Sequence, residues 1–347
     1  MLKSNRIICG DSSKILKKFD SKSVDLCYLD PPFFADRIFE AKGKYGKINS
    51  FNDKWDRNLD SYLDSMIQVL QECHRVLKKT GSLYLHCDWH ASHYLKIELD
   101  KIFGRKNFQN EIIWRRHNVH NDSRHGTKSF GRVHDIIIFY SKSKNYTWNP
   151  IYQPYSEEYV EKTYRHVEKE TGRRYALGDL SGPGGRSKGN PRYEFMGITR
   201  YWRYCETSMM RLKKENRIYQ GKPENVPLLK RYLDEMPGIV LQDVWDDIKS
   251  VQISKKESIG YPTQKPERLL ERIIQISSNA GDLVLDPMCG SGTTLVASKN
   301  LGRNFIGVDS NKQACKITRN RLKKRMVCEP MIMKIPIVFS RKMNSTK

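Results

Sequence analysis

The stretch "LVLDPMCGSGTTLVASKNLGRNFIGVD", Leu283 to Asp309, decides the fold. A short apolar run ends in an acid. A glycine-rich turn follows, then a helix-forming segment, then a second apolar run that ends in another acid. Strand, turn, helix, strand is the arrangement of a nucleotide-binding βαβ unit, whose second-strand acid takes a ribose hydroxyl pair. Asp309 stands 19 residues after Gly290, as that unit requires. A helix cap is expected at Thr293 or Thr294.

The ligand of this unit need not be a dinucleotide. Leu295 occupies the place of the third glycine, and Asp286 closes the first strand just before the turn. A carboxylate there repels a pyrophosphate but suits a cationic ligand. S-adenosylmethionine carries a sulfonium and an ammonium group, so its charge fits. Asp286, Pro287, Gly290, Gly292, Thr293, Thr294 and Asp309 are therefore the candidate cofactor residues.

"LCYLDPPFFADR", Leu26 to Arg37, carries a second kind of chemistry. Here a buried strand ends in Asp30, and two prolines stop it. An exocyclic amine of adenine or cytosine presents two N–H donors, and its lone pair is delocalised into the ring. To make it nucleophilic, a site must accept both hydrogens. Asp30 can accept one and the Pro31 carbonyl the other. Pro31 and Pro32 fix φ and remove competing donors. Phe33 is placed to stack on a base swung out of a duplex.

Around these motifs, strand-like and helix-like segments alternate. "RIICGD" (6–11) reads as a strand and "SSKILKKF" as a helix capped by Ser12 or Ser13. Helices are expected near 59–78 and 93–103, with strands at "SLYLHCD", "NEIIWRR" and "HDIIIFYSK". This alternation predicts an α/β fold with a doubly wound, mostly parallel sheet. From 144 to 260 the rhythm breaks. "GDLSGPGGRSKGNPRYEF" reads as loop, flanked by segments dense in Arg, Lys, Tyr and Trp. The α/β rhythm resumes at Tyr261. The expected division is 1–143, an inserted module 144–260, 261–327, and a basic tail 328–347.

Composition narrows the function further. Against 39 acidic residues stand 62 basic ones, a net charge of +23, which points to a polyanion and most simply to nucleic acid. The start, "MLKSNRIICGD", lacks a signal-peptide core, and "DIIIFY" is far too short to cross a bilayer. None of the eight cysteines shows C-x-x-C spacing. These features predict a cytoplasmic protein with no membrane partner, zinc site or disulfide framework. "HCDWHASH" brings His86, His90 and His93 close together, but the run crosses a strand end, so no metal site is expected there. Asp88 is placed to line the crevice.

"DPPF" (30–33), "YPTQKP" (261–266) and "LDPMCGSGTT" (285–294), in this order, resemble the β-group (permuted) DNA amino-methyltransferases. "GRVHDIIIFYSKS" and "RYLDEMPGIVLQDVWDDI" look like the same family, so the resemblance spans nearly the whole chain. Met288-Cys289 stands where an aromatic is common, and Tyr261 where histidine is common. The resemblance implies a circularly permuted, Rossmann-like methyltransferase fold, with S-adenosylmethionine as cofactor and double-stranded DNA as substrate. A cognate restriction endonuclease and a second copy of the chain are the partners it suggests.

By the same resemblance, Asp11 contacts the adenine of the cofactor, and Thr263, Gln264 and Lys265 line its methionine end. The inserted module is implied to recognise the target sequence. Permutation also explains the N-terminus, because "RIICGD" fills the third-strand slot beside "NFIGVD". An acid at the head of D-P-P-F resembles adenine-N6 enzymes more than cytosine-N4 enzymes, where serine is commoner. Cytosine-N4 methylation is the alternative within the class, and a catalytically silent DNA-binding subunit the alternative outside it. A nicotinamide dehydrogenase would explain neither the charge nor D-P-P-F.

Overall fold

The computed structural model describes residues 3–35, 37–43, 46–53, 55, 58–116, 128, 130–251 and 257–324. The basic tail expected over 328–347 lies outside them. The described residues form two compact units, one within Met1–Pro150 and Gln242–Ile335, the other Ile151–Leu241.

The first unit is built on eight strands: β1 (Arg6–Cys9), β2 (Val24–Leu29), β3 (Leu77–Cys87), β4 (Phe108–Arg115), β5 (His134–Ser141), β6 (Val244–Trp245), β7 (Leu283–Asp286) and β8 (Asn304–Asp309). Their spatial order is β1-β8-β7-β2-β3-β5-β4-β6. Every neighbouring pair is parallel except the two made by β5, which runs antiparallel to β3 and β4. A parallel strand is covered on both faces, so it reads as a continuous apolar run. All six residues of β2 are buried, as that rule requires.

Six helices accompany the sheet: α1 (Ser12–Leu16), α2 (Leu59–Val76), α3 (Ser92–Phe103), α4 (Glu267–Ser277), α5 (Thr293–Asn300) and α6 (Lys312–Lys324). In one layer α2 packs against α1 and α3; in the other α5 packs against α4 and α6. Helix α2 buries Tyr62, Met66, Val69, Leu70, Cys73 and Val76, a stripe at helical spacing. Together with β2, β3 and β5 this stripe forms the main core.

Two local expectations are corrected. Helix α1 is capped by Asp11, not Ser12 or Ser13, and its carboxylate accepts the Ser13 N–H at 2.9 Å. Helix α5 starts from Gly292, with no side-chain cap, and Thr293 and Thr294 lie in its first turn. A further hairpin, Arg37–Gly43 with Gly46–Asp53, follows the D-P-P-F loop and was not expected.

The inserted unit is narrower than 144–260. Val244–Trp245 pair with Ile113–Trp114, which draws the chain after Leu241 back to the main sheet. Four of its strands, Ile218–Tyr219, Leu228–Tyr232, Arg174–Asp179 and His166–Val167, form one antiparallel sheet in that order, beside the hairpin Arg192–Phe195 with Ile198–Tyr201 and the pair Tyr152–Gln153 with Ile239–Val240. The segment 178–195, expected as loop, enters strands at both ends and supplies Leu180 and Phe195 to a core with Trp202 and Met209. Among the described residues no helix is long and apolar enough to cross a membrane.

Candidate active site

Strands β7 and β2 are neighbours at the centre of the sheet, and the chain winds away from them in opposite directions. A crevice opens at such a switch point, outside the carboxyl ends of the strands. Four acids sit along this edge: Asp11 just after β1, Asp309 ending β8, Asp286 ending β7 and Asp30 just after β2. The N-terminal strand takes the expected slot, with Ile8 beside Val308 and Cys9 beside Asp309.

These acids line one cavity of about 1070 Å³. Of the residues singled out from the sequence, Asp11, Asp30, Pro32, Thr263, Lys265, Asp286, Pro287, Gly290, Thr293, Thr294 and Asp309 line it. Pro31, Phe33, Gln264 and Gly292 do not, and neither does Asp88. Gln264 and Asp88 are held by their own neighbours. The Gln264 amide is taken up by its own segment, accepting the Ile259 N–H at 3.0 Å and donating to the Glu257 carbonyl at 2.8 Å. Asp88 accepts the His90 N–H at 2.9 Å.

The glycine turn is held from several sides. Gly290 donates to Asp309 Oδ2 at 2.8 Å, and Asn311 to Asp309 Oδ1 at 2.8 Å. Thr318 on α6 donates from Oγ1 to the Gly290 carbonyl at 2.9 Å. Arg321 donates to the Ser291 carbonyl at 2.6 Å and to Glu267 at 3.1 Å. At Gly292, φ is +77° and a Cβ would lie 2.1 Å from Thr318 Cγ2. Both facts require glycine.

Electrostatics at the turn follow from burial. Asp286 is 2% exposed. Desolvation pushes its carboxyl up to about 7, partly opposed by bonds from Thr294 and the Met288 N–H and reinforced by Asp30 and Asp309. Burial also raises Asp309, against the N–H groups of Asn311 and Gly290. A site that gathers carboxylates whose charge is costly fits a cationic ligand.

Asp30 meets a different partner. Lys265 Nζ lies 2.5 Å from Asp30 Oδ2, 3.4 Å from the Thr263 carbonyl and 5.4 Å from the centre of the Phe33 ring. The other oxygen, Asp30 Oδ1, is buried and has no hydrogen-bond partner among the described residues. Lys265 therefore reaches the D-P-P-F carboxylate, rather than standing only among cofactor residues.

Phe33 stacks on His86, ring centres 5.9 Å apart and 29° between planes. His86 is fully buried, with Nδ1 2.8 Å from the Tyr28 hydroxyl and Nε2 3.2 Å from Asp135 Oδ2. Burial works to raise the Asp135 carboxyl, but His86, Arg116 and Lys265 bring it below its ordinary value. Of the "HCDWHASH" histidines, His86 thus orders the floor beneath Phe33.

Several lining residues escaped the sequence reading. Ser61, Asp64, Ser65 and Gln68 face the cavity from α2, and Trp55 also lines its wall. The polar spacing 61, 64, 65, 68 flanks the buried stripe of α2, two of whose members, Met66 and Val69, also line the cavity; that spacing was the signal available. For Trp55 no periodic signal existed.

A family model described as "DNA methylase" matches residues 24–320. The chain is 31% identical over 324 residues to the type II methyltransferase M.EcaI of Enterobacter cloacae, covering 91% of this chain and 69% of that protein. It is 30% identical over 317 residues to the DNA adenine methyltransferase YhdJ of Escherichia coli (strain K12), covering 91% and 82%. In fold it resembles the PvuII DNA methyltransferase (cytosine-N4-specific), with TM-score 0.52, 13% identity and coverage of 92% and 87%.

Proposed function

The chain belongs to the N6/N4 DNA methylase family, and from this premise we propose that it transfers a methyl group from S-adenosylmethionine to the N6 amine of adenine in a short duplex DNA sequence. The observation that carries the reading is the state of Asp30. One oxygen is held by Lys265, and the other is a buried acceptor without a partner. A buried acceptor of this kind is costly unless a donor reaches it. An exocyclic N–H of a flipped base is such a donor.

The residues of the glycine turn fit the cofactor. Asp286 would face its cationic end, Asp309 its ribose, and Asp11 its adenine. When bound, S-adenosylmethionine supplies an activated methyl group on a sulfonium. The chain's own task is positioning. Asp30 Oδ1 and the Pro31 carbonyl orient the amine so that its lone pair faces the methyl donor. Phe33, fixed on His86, gives the base a flat support. The inserted unit, Ile151–Leu241, would read the sequence around the target through its exposed cationic and aromatic side chains.

Adenine is supported by the acid at the head of D-P-P-F and by the similarity to a relative named as an adenine methyltransferase. The test is to incubate the protein with S-adenosylmethionine and unmethylated DNA, digest to nucleosides and analyse by mass spectrometry. N6-methyladenine is the expected product. N4-methylcytosine would replace adenine by cytosine in this reading, and unmodified DNA despite clear DNA binding would remove the activity.

A further inference from the structure

The loop after Asp30 is held by a residue from the hairpin that follows it. Asp53, fully buried, accepts the Ala35 N–H at 2.8 Å and the Phe34 N–H at 3.2 Å. Its Oδ1 also accepts the Trp55 indole N–H at 2.9 Å. Successive backbone N–H groups turned toward one anion form a concavity that fixes the local chain path. Phe34 sits at φ +63°, a conformation an aromatic residue rarely adopts without such support. On the other side of the loop, Tyr62 donates to the Pro32 carbonyl at 2.9 Å. The Phe34, Tyr62 and Trp55 rings then close the collar, each neighbouring pair with centres 5.3 Å apart.

We infer that Asp53 is a positioning residue for methyl transfer, because its carboxylate sets the path of the Pro32–Ala35 loop and the orientation of the Trp55 indole on the cavity wall. Its hydrogen bonds among the described residues go to the loop and to Trp55, not to Asp30 or the glycine turn, so it acts through the loop that aims the D-P-P-F acceptors. Its burial disfavours a charge, and the N–H donors of Ala35, Trp55 and Phe34 offset part of that cost. A neutral amide cannot replace it, since Asn offers one acceptor oxygen and turns an N–H₂ toward backbone donors. The inference rests on the reading of Asp30 as the receiver of the base amine.

The experiment compares Asp53→Asn, Tyr62→Phe and Asp30→Ala in the full chain. Methyl-transfer turnover is measured with DNA, and S-adenosylmethionine affinity by calorimetry. Asp53→Asn is expected to lower kcat roughly 100-fold, the cost of misplacing reacting groups by about 1 Å, while cofactor Kd stays within about twofold. Tyr62→Phe removes a single hydrogen bond and should lower kcat by roughly 2–10-fold in the same pattern. Wild-type kcat in a folded Asp53→Asn protein would overturn the inference. So would a loss of cofactor affinity in proportion to kcat, the mark of general collapse. If Asp53→Asn fails to fold, Tyr62→Phe decides: loss confined to kcat supports the inference, and no loss overturns it. Full activity in Asp30→Ala would instead remove the underlying site reading, which keeps the two failures distinct.

Discussion

Lys265 and Asp30, 235 residues apart in the chain, form an ion pair at 2.5 Å, with both side chains largely buried. The pair joins the segment that leads into the glycine turn to the carboxylate of D-P-P-F. It also assigns the two Asp30 oxygens different tasks. One is anchored, and one is left for a donor.

Lys265→Met should therefore act on transfer rather than on cofactor binding. Removing one partner of a buried pair leaves an uncompensated carboxylate and costs more than an exposed pair would. A fall in the single-turnover rate of roughly 10–100-fold is expected, following the loss of positioning at Asp30. S-adenosylmethionine affinity should change little, and Lys265→Arg should restore part of the rate. A fall in affinity with an unchanged rate would return Lys265 to the cofactor site that the sequence suggested.

Asp286 makes the site sensitive to pH. Burial, reinforced by the nearby Asp30 and Asp309, pushes its carboxyl up to about 7. A cationic cofactor needs the ionised form, so affinity should rise with pH, by up to about tenfold per unit below 7. Stability runs the other way. The folded-state value lies above the unfolded one, so the contribution is full below about 4 and is lost as pH rises through about 7. The cofactor-free protein should melt at higher temperature at pH 6 than at pH 8. Asp286→Asn should flatten the affinity profile and shrink the melting difference; unchanged profiles would show that another group controls both.

Gly292→Ala tests the turn itself. The left-handed φ costs a side chain about 1–2 kcal/mol, and the contact with Thr318 adds overpacking of about 1–3 kcal/mol. Denaturant unfolding should show a loss in the range of that combined cost, and cofactor affinity should fall with it. Adding Thr318→Ala should recover the overpacking portion but not the conformational one. Full recovery would mean that φ at this position carries no penalty.

Much of the fold was legible because its signals are local. Six buried residues in β2 read as a parallel strand whatever surrounds them, and the glycine turn between two acid-ended strands identified the βαβ unit. The N-terminal strand was also legible, since a sheet with one unfilled slot accepts only a segment that carries the right pattern. Where the reading failed, the reason was competition between nearby groups. Asp11 outcompeted Ser12 and Ser13 as a cap because its carboxylate reaches the Ser13 N–H. Where the inserted unit ends is not legible in sequence, because Val244–Trp245, which pairs in the main sheet, is too short a strand to announce itself.

By itself, the sequence determined the class of sheet and the residue types at its carboxyl edge, since hydrophobic periodicity and turn chemistry act over a few residues, while the order of its two halves followed from the family resemblance. Only the tertiary structure decided which of those residues meet. Lys265 pairs with Asp30, Phe33 lies on His86, and Asp53 holds the D-P-P-F loop because neighbouring strands and a hairpin bring distant segments within hydrogen-bond reach. Those contacts depend on register, strand order and the path of the connections, which no local pattern encodes.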